Sequence, residues 1–170
     1  SVKNHKNASK NKFAQYQNEI TIEDVMNSAP VATPLKLLDC SPITDGAAAV
    51  ILSADDLSKG VYITGSAVAS DTIDLAERKS LTELKATQVA SKKALDSAGA
   101  SIKDIKVAEI HDCFTIAEIM AMEDLGFCPA GAGGKFIKSK ATRLGGKCPV
   151  NTSGGLKACG HPVGATGVKQ

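Results

Sequence analysis

Polar and apolar positions divide the chain into segments of different character. Residues 1–19 are rich in Lys, Asn and Gln and read as a solvated stretch. Thr21 stands three residues before Asp24, the spacing of a capping box, and predicts a short helix over 21–26. Pro30 and Pro34 then hold the backbone extended. A run of small and β-branched residues, 47–52, follows Asp45-Gly46 and predicts a buried strand. Ser53 is placed to cap a helix over 54–59 that Gly60 would end, and 61–69 reads as a second strand. The clearest helix is 81–98, rich in Ala, Lys and Leu, with Gly99 just past its end. Its inward face is expected to hold Leu84, Ala90, Ala94, Leu95 and Ala98. Residues 107–110 form a short predicted strand that runs straight into His111. The helix predicted over 115–125 is apolar nearly all round and therefore expected to be buried. Residues 126–146 are Gly- and Lys-rich and predict a loop, and 151–155 a second Gly-rich turn. Strands alternating with helices through the middle of the chain predict α/β layering.

Composition narrows the function classes. The chain has 170 residues, 43% hydrophobic and 22% charged, which is enough to build a core. Its net charge of +2, from 20 basic and 18 acidic residues, is too balanced for a nucleic-acid binder. Aromatics are 4%, with no Trp, which argues against base-stacking platforms. The five cysteines are irregularly spaced, without a C-x-x-C pair. No zinc ribbon or redox pair is expected, and free thiols fit a reducing compartment. No apolar run approaches a membrane span, and the first residues lack a signal-peptide core. The chain begins without Met and ends, over 164–170, in residues that read as a helix start without an exit. A piece of a longer polypeptide is the expectation.

Two short motifs carry candidate chemistry. His111-Asp112-Cys113-Phe114 stands at a strand-to-helix junction, where α/β folds gather ligand contacts. It offers an imidazole, a carboxylate and a thiol beside a helix N-terminus, which favours anions and can lower a thiol pKa. The plainer reading is a core cysteine next to a surface His-Asp pair. Gly160-His161-Pro162 opens the second motif, which runs through Gly167 and holds His161 in a Gly-rich turn with Pro162 suited to a helix's first turn. An imidazole there has the right basicity to take a proton from a thiol. Cys40, Cys128 and Cys148 read as buried or incidental, and Cys159 is close to His161 only in sequence.

Taken together, these stretches resemble the thiolase superfamily, in particular the branch of sterol-carrier-protein-type thiolases and archaeal acetyl-CoA acetyltransferases. The likeness rests on Asp45-Gly46-Ala47-Ala48-Ala49-Val50-Ile51-Leu52, the His111 motif, Asn151-Thr152-Ser153-Gly154-Gly155 and the His161 motif, in the family's order. It implies a thiolase-like α/β fold, a layered mixed sheet with helices, present in part. Residues 1–38 would end the family's loop domain, 39–60 would end its N-terminal half, and 61–170 would form a truncated C-terminal half.

The resemblance also implies roles. His161 would activate a nucleophilic cysteine, His111 would serve an oxyanion hole, and Cys113 would move the substrate α-proton. The implied activity is acyl-CoA C-acyl transfer: Claisen condensation of acetyl-CoA, or thiolysis of a 3-oxoacyl-CoA. Coenzyme A thioester is the substrate, and neither a metal nor a separate cofactor is called for. The alternative is a non-catalytic thiolase-like scaffold or lipid-handling subunit. A decarboxylating ketoacyl synthase is disfavoured, because that group generally uses a second histidine where this chain has the His111 cluster, and Cys113 speaks against it. None of the five cysteines lies in the family's nucleophile motif, so the chain is expected to be inactive alone. Family habit further implies a homo-oligomer, dimer or tetramer, and archaeal relatives can assemble with a hydroxymethylglutaryl-CoA synthase. A cytoplasmic location is expected, with peroxisome or mitochondrion as alternatives.

Overall fold

Thr21 opens helix α2 (Ile22–Asn27) with a complete capping box. Its hydroxyl accepts the Asp24 N–H, and the Asp24 carboxylate accepts the Thr21 N–H. This computed structural model describes residues 1–55 and 60–170. Six further helices are formed among them: α1 (Val2–Ala8), α3 (Lys85–Ala98), α4 (Thr115–Asp124), α5 (Gly133–Lys138), α6 (Gly155–Cys159) and α7 (Thr166–Lys169). Gly99 ends α3 in the left-handed conformation, at φ 61°, as its place after the helix predicts. Asp124, at the end of α4, accepts the Leu84 N–H and the Gln88 amide, each at 2.7 Å, and so anchors the start of α3.

Helix α4 is not buried all round. Ala121 and Met122 are buried and Ile116 is exposed, while Glu118 points inward. Around Met122 gather Ile110, Ala121 and Val150, with Phe127, Phe136 and Ile137 packed on their edge. Phe136 and Ile137 explain why 133–138 is helical rather than loop: a helix turns both onto this cluster. Glu123 steadies its entry by accepting the Gly131 and Gly133 N–H groups.

The N-terminal stretch corrects the expectation of a solvated segment. In α1, Asn4, His5, Asn7 and Ala8 are buried against α6 and its surroundings. These polar side chains go inside because each finds a partner, which offsets the cost of desolvation. The Asn7 amide donates to the Asn151 carbonyl at 2.9 Å, and the Lys3 ammonium pairs with Glu118 at 2.9 Å. The His5 ring stacks on Tyr16 and faces the buried Lys157 ammonium.

Strands are fewer than the apolar runs predict. Among the described residues one hairpin forms, β1 (Pro30–Ala32) antiparallel to β2 (Leu35–Lys36), with isolated bridges Cys40–Phe114, Ile43–His161 and Ala108–Val150. The runs 47–52 and 61–69 form no regular element and join no ladder, and Val50, Ile51, Leu52, Val61 and Ile63 are exposed. A strand needs a neighbour to receive its backbone groups, and no other stretch of the described chain supplies one. The expected helix over 54–59 falls mainly on 56–59, outside the described residues.

Candidate active site

The site is built on a short parallel rail between residues 108–110 and 149–151. Ala108 N–H donates to the Pro149 carbonyl, and the Asn151 N–H returns to the Ala108 carbonyl. The rail is extended by a side chain: Asn151 Oδ1 accepts the Ile110 N–H at 2.8 Å. Asn151 is fully buried in the left-handed region at φ 55°, which asparagine tolerates better than most residues. On the same stretch, Glu109 accepts both hydroxyls of Thr152 and Ser153 and the Ser153 N–H. These bonds hold the stretch that leads into His111 against the 151–155 turn.

Asp112 then joins the two motifs. It is 1% exposed, and its carboxylate accepts the Leu156 N–H at 2.6 Å and the Lys157 N–H at 3.4 Å. Those groups belong to the first turn of α6, whose free N–H groups favour a carboxylate. Gly155 permits the approach: its φ is +63°, and a Cβ there would fall on the Asp112 carboxylate. The amide of Asn4 donates to Asp112 at 2.5 Å and to Glu118 at 2.8 Å, bridging two buried acids. Burial and then the charge of Glu118 raise the Asp112 pKa from 3.8 to about 6, against the pull of its backbone and Asn4 donors.

His161 follows α6 directly. Its backbone N–H donates to Thr44 Oγ1 at 2.8 Å, and its Nδ1 lies 2.8 Å from Thr166 Oγ1. The His161 and His111 rings meet edge to face, with centroids 4.9 Å apart and planes at 86°. Desolvation, and then the neighbouring His161, hold the His111 pKa below the usual histidine value. Gly160 and Pro162, the chain neighbours of His161, line a cleft of about 440 Å³ with Thr44, Asp45 and Gly46, and neither histidine is among the lining residues.

Cys113 is half-buried, and its carbonyl accepts the Ser41 N–H at 2.8 Å. Its thiol departs from the expectation for a helix N-terminus: burial pushes its pKa up, and the Phe114 N–H only partly opposes this. All five cysteines are free thiols. Among the described residues no group of three or more His, Cys, Asp or Glu is arranged to hold a metal ion, and no helix is long and apolar enough to cross a membrane.

The structure thus brings His111 and His161 into ring contact and sets Cys113 two residues from His111. Sequence reasoning missed the residues that hold them. Asp112 stands inside a quoted motif, yet nothing in its spacing points to Leu156. Asn4 and Lys3 lie in a stretch with no signal beyond polarity. Thr44 precedes the Asp45-Gly46 stretch, and Thr166 stands inside the His161 motif, each as an ordinary small polar residue.

Comparison with known proteins agrees with these motifs. Residues 67–170 match the family described as thiolase C-terminal domain-like. Across its full length the chain is 51% identical to an acetyl-CoA acetyltransferase of Methanothermobacter thermautotrophicus, of which it covers 46%. It is 37% identical to sterol carrier protein 2 of Rattus norvegicus, over 99% of this chain and 32% of that protein. Among solved structures, the Ltp2-ChsH2(DUF35) aldolase superposes with a TM-score of 0.83 at 26% identity, over 99% of this chain and 47% of that one. The likeness bears out a thiolase-like α/β fold. The chain spans about half the length of the archaeal relative, or less in the case of the sterol carrier protein.

Proposed function

Because this chain belongs to the thiolase family, through its thiolase C-terminal domain-like residues 67–170, we propose that it supplies the acid–base half of an acyl-CoA C-acyltransferase. The observation that carries this reading is the contact between His111 and His161, whose rings lie 4.9 Å apart. Two imidazoles in contact, with a thiol two residues along the chain from one of them, suit proton transfer around a thioester.

In the synthetic direction, His161 takes the proton of a cysteine thiol that lies outside these 170 residues. The thiolate adds to the thioester carbonyl of one acyl-CoA, coenzyme A leaves as a thiolate that receives a proton, and an acyl-enzyme remains. Cys113 as thiolate removes the α-proton of acetyl-CoA, and the resulting enolate attacks the acyl carbonyl. The new carbon–carbon bond forms as the enzyme cysteine leaves. His111 donates a hydrogen bond to the thioester oxygen, which carries negative charge in the enolate. Thiolysis of a 3-oxoacyl-CoA reverses these steps, with Cys113 giving the proton back to carbon. A homo-oligomer in the cytoplasm fits the same reading.

The test uses the complete enzyme with labelled acetyl-CoA. Acyl-enzyme formation that is lost in His161→Ala, together with α-proton exchange that is lost in Cys113→Ala, supports the acyltransferase. A complete protein that forms no acyl-enzyme favours the non-catalytic scaffold instead. This chain alone is expected to give no turnover.

A further inference from the structure

The Thr166 hydroxyl sits between two groups. One is His161 Nδ1, at 2.8 Å; the other is the Pro162 carbonyl oxygen, at 3.0 Å. A hydroxyl has one proton to give, and a carbonyl can only accept. Thr166 is 3% exposed, so water does not complete its bonding. If the hydroxyl donates to Pro162, its oxygen remains free to accept Nδ1–H, and Thr166 makes two hydrogen bonds. If it donates to Nδ1 instead, it makes one, and its own lone pairs go unused in a buried place. The Pro162 carbonyl already receives the Ala165 and Thr166 N–H groups, and a threonine in a helix's first turn commonly shares such a carbonyl.

We propose that Thr166 is a positioning residue that holds His161 in its Nδ1–H tautomer and so leaves Nε2 as the free lone pair. No hydrogen bond to His161 Nε2 is present among the described residues, which leaves that nitrogen for a proton from another group. The inference deepens the acyltransferase reading and rests on it for the meaning of that lone pair; the tautomer stands on geometry alone. Protonation at Nε2 keeps the Thr166 contact intact. The hydroxyl oxygen then accepts from an imidazolium, and the hydrogen bond is charge-assisted.

Two-bond proton–nitrogen NMR of the histidine rings reads the tautomer directly, and loss of signals in His161→Gln identifies the ring. At a pH where the ring is neutral, the wild-type protein is expected to show a protonated Nδ1 and a bare Nε2. Thr166→Ser keeps that pattern. Thr166→Val, of similar shape but without a hydroxyl, moves the proton to Nε2, while His5 and His111 keep their signals. In the complete enzyme, Thr166→Val lowers the rate of acyl-enzyme formation by about 100-fold, the scale of lost general-base catalysis, with KM little changed, and Thr166→Ser restores it. A wild-type His161 carrying its proton on Nε2, or a Thr166→Val protein that keeps Nδ1–H, overturns the proposal. A tautomer that switches in Thr166→Val, with no acyl-enzyme in any form, upholds the role of Thr166 and removes the acyltransferase reading.

Discussion

Asp112 accepts the Leu156 backbone N–H at 2.6 Å, and this bond locks the turn carrying His111 to the helix that delivers His161. The two residues are far apart in sequence. Between them they fix the distance between both candidate catalytic motifs, and a third partner, Asn4, closes on the lock from α1.

Removing the acceptor should therefore cost more than an ordinary helix cap. Asp112→Ala strips partners from the Leu156 and Asn4 donors in a buried place, and the expected loss is about 2–4 kcal/mol. Asp112→Asn keeps one oxygen for Leu156 and should lose less. Urea unfolding of the three proteins decides it, and equal midpoints for wild type and Asp112→Ala would remove the lock.

The same carboxyl makes stability depend on pH. Its pKa is about 6 in the folded chain, against an ordinary 3.8, so the folded state holds the proton more tightly than the unfolded one. The contribution is full below the ordinary value and is lost as pH rises through about 6. The full difference corresponds to about 3 kcal/mol at most. Wild type should therefore lose stability relative to Asp112→Asn on going from acid to neutral pH. His5 and His111, both held below the usual histidine value, act in the opposite sense and cancel in that comparison. A constant difference between the two proteins across this range contradicts the assignment.

Gly155 offers a test by size. At φ +63° and with no room beside Asp112 for a Cβ, Gly155→Ala must either break the carboxylate's contacts or shift α6. The expected cost is about 2–4 kcal/mol from strain and overpacking together. Broadened His161 resonances should accompany it. At Gly164, where a Cβ meets nothing within 4 Å, alanine should be tolerated.

The Cys113 thiol predicts a pH profile. Burial raises its pKa above the ordinary thiol value, so the thiolate that the proposed α-proton abstraction requires is scarce at neutral pH. In the complete enzyme, exchange of the acetyl-CoA α-protons should climb about tenfold per pH unit until the thiol titrates. A flat profile between neutrality and mild alkali argues for another base.

What could be read from the chain was local. Thr21 with Asp24, Gly99 after α3 and the run into α4 are signals carried by neighbouring residues, and each element formed, although α3 starts at Lys85 rather than at the expected residue 81. The strands at 47–52 and 61–69 failed because β structure needs a partner elsewhere, which no local pattern reports. Helix α5 was hidden by its glycines, and its two apolar residues, Phe136 and Ile137, are adjacent and show no helical period. For the site, motif likeness proposed His111, Cys113 and His161, and reported nothing of the side chains that hold their motifs. Asn4 is buried only because Asp112 and Glu118, more than a hundred positions away, need its amide. A polar residue of that kind is indistinguishable from a surface one until the chain has closed on itself.

That closure has a kinetic side. The contacts of α1 with the turn before α6 join positions such as Asn7 and Asn151, which are separated by most of the chain. Contacts of such range form late, because the ordering of the intervening chain must come first. During synthesis, α3 and α4 can assemble from residues already made, while Asn7 must wait for Asn151 to emerge. The two histidines would then come into register among the last events of folding, and a chain stalled short of residue 151 would hold its helices without a site.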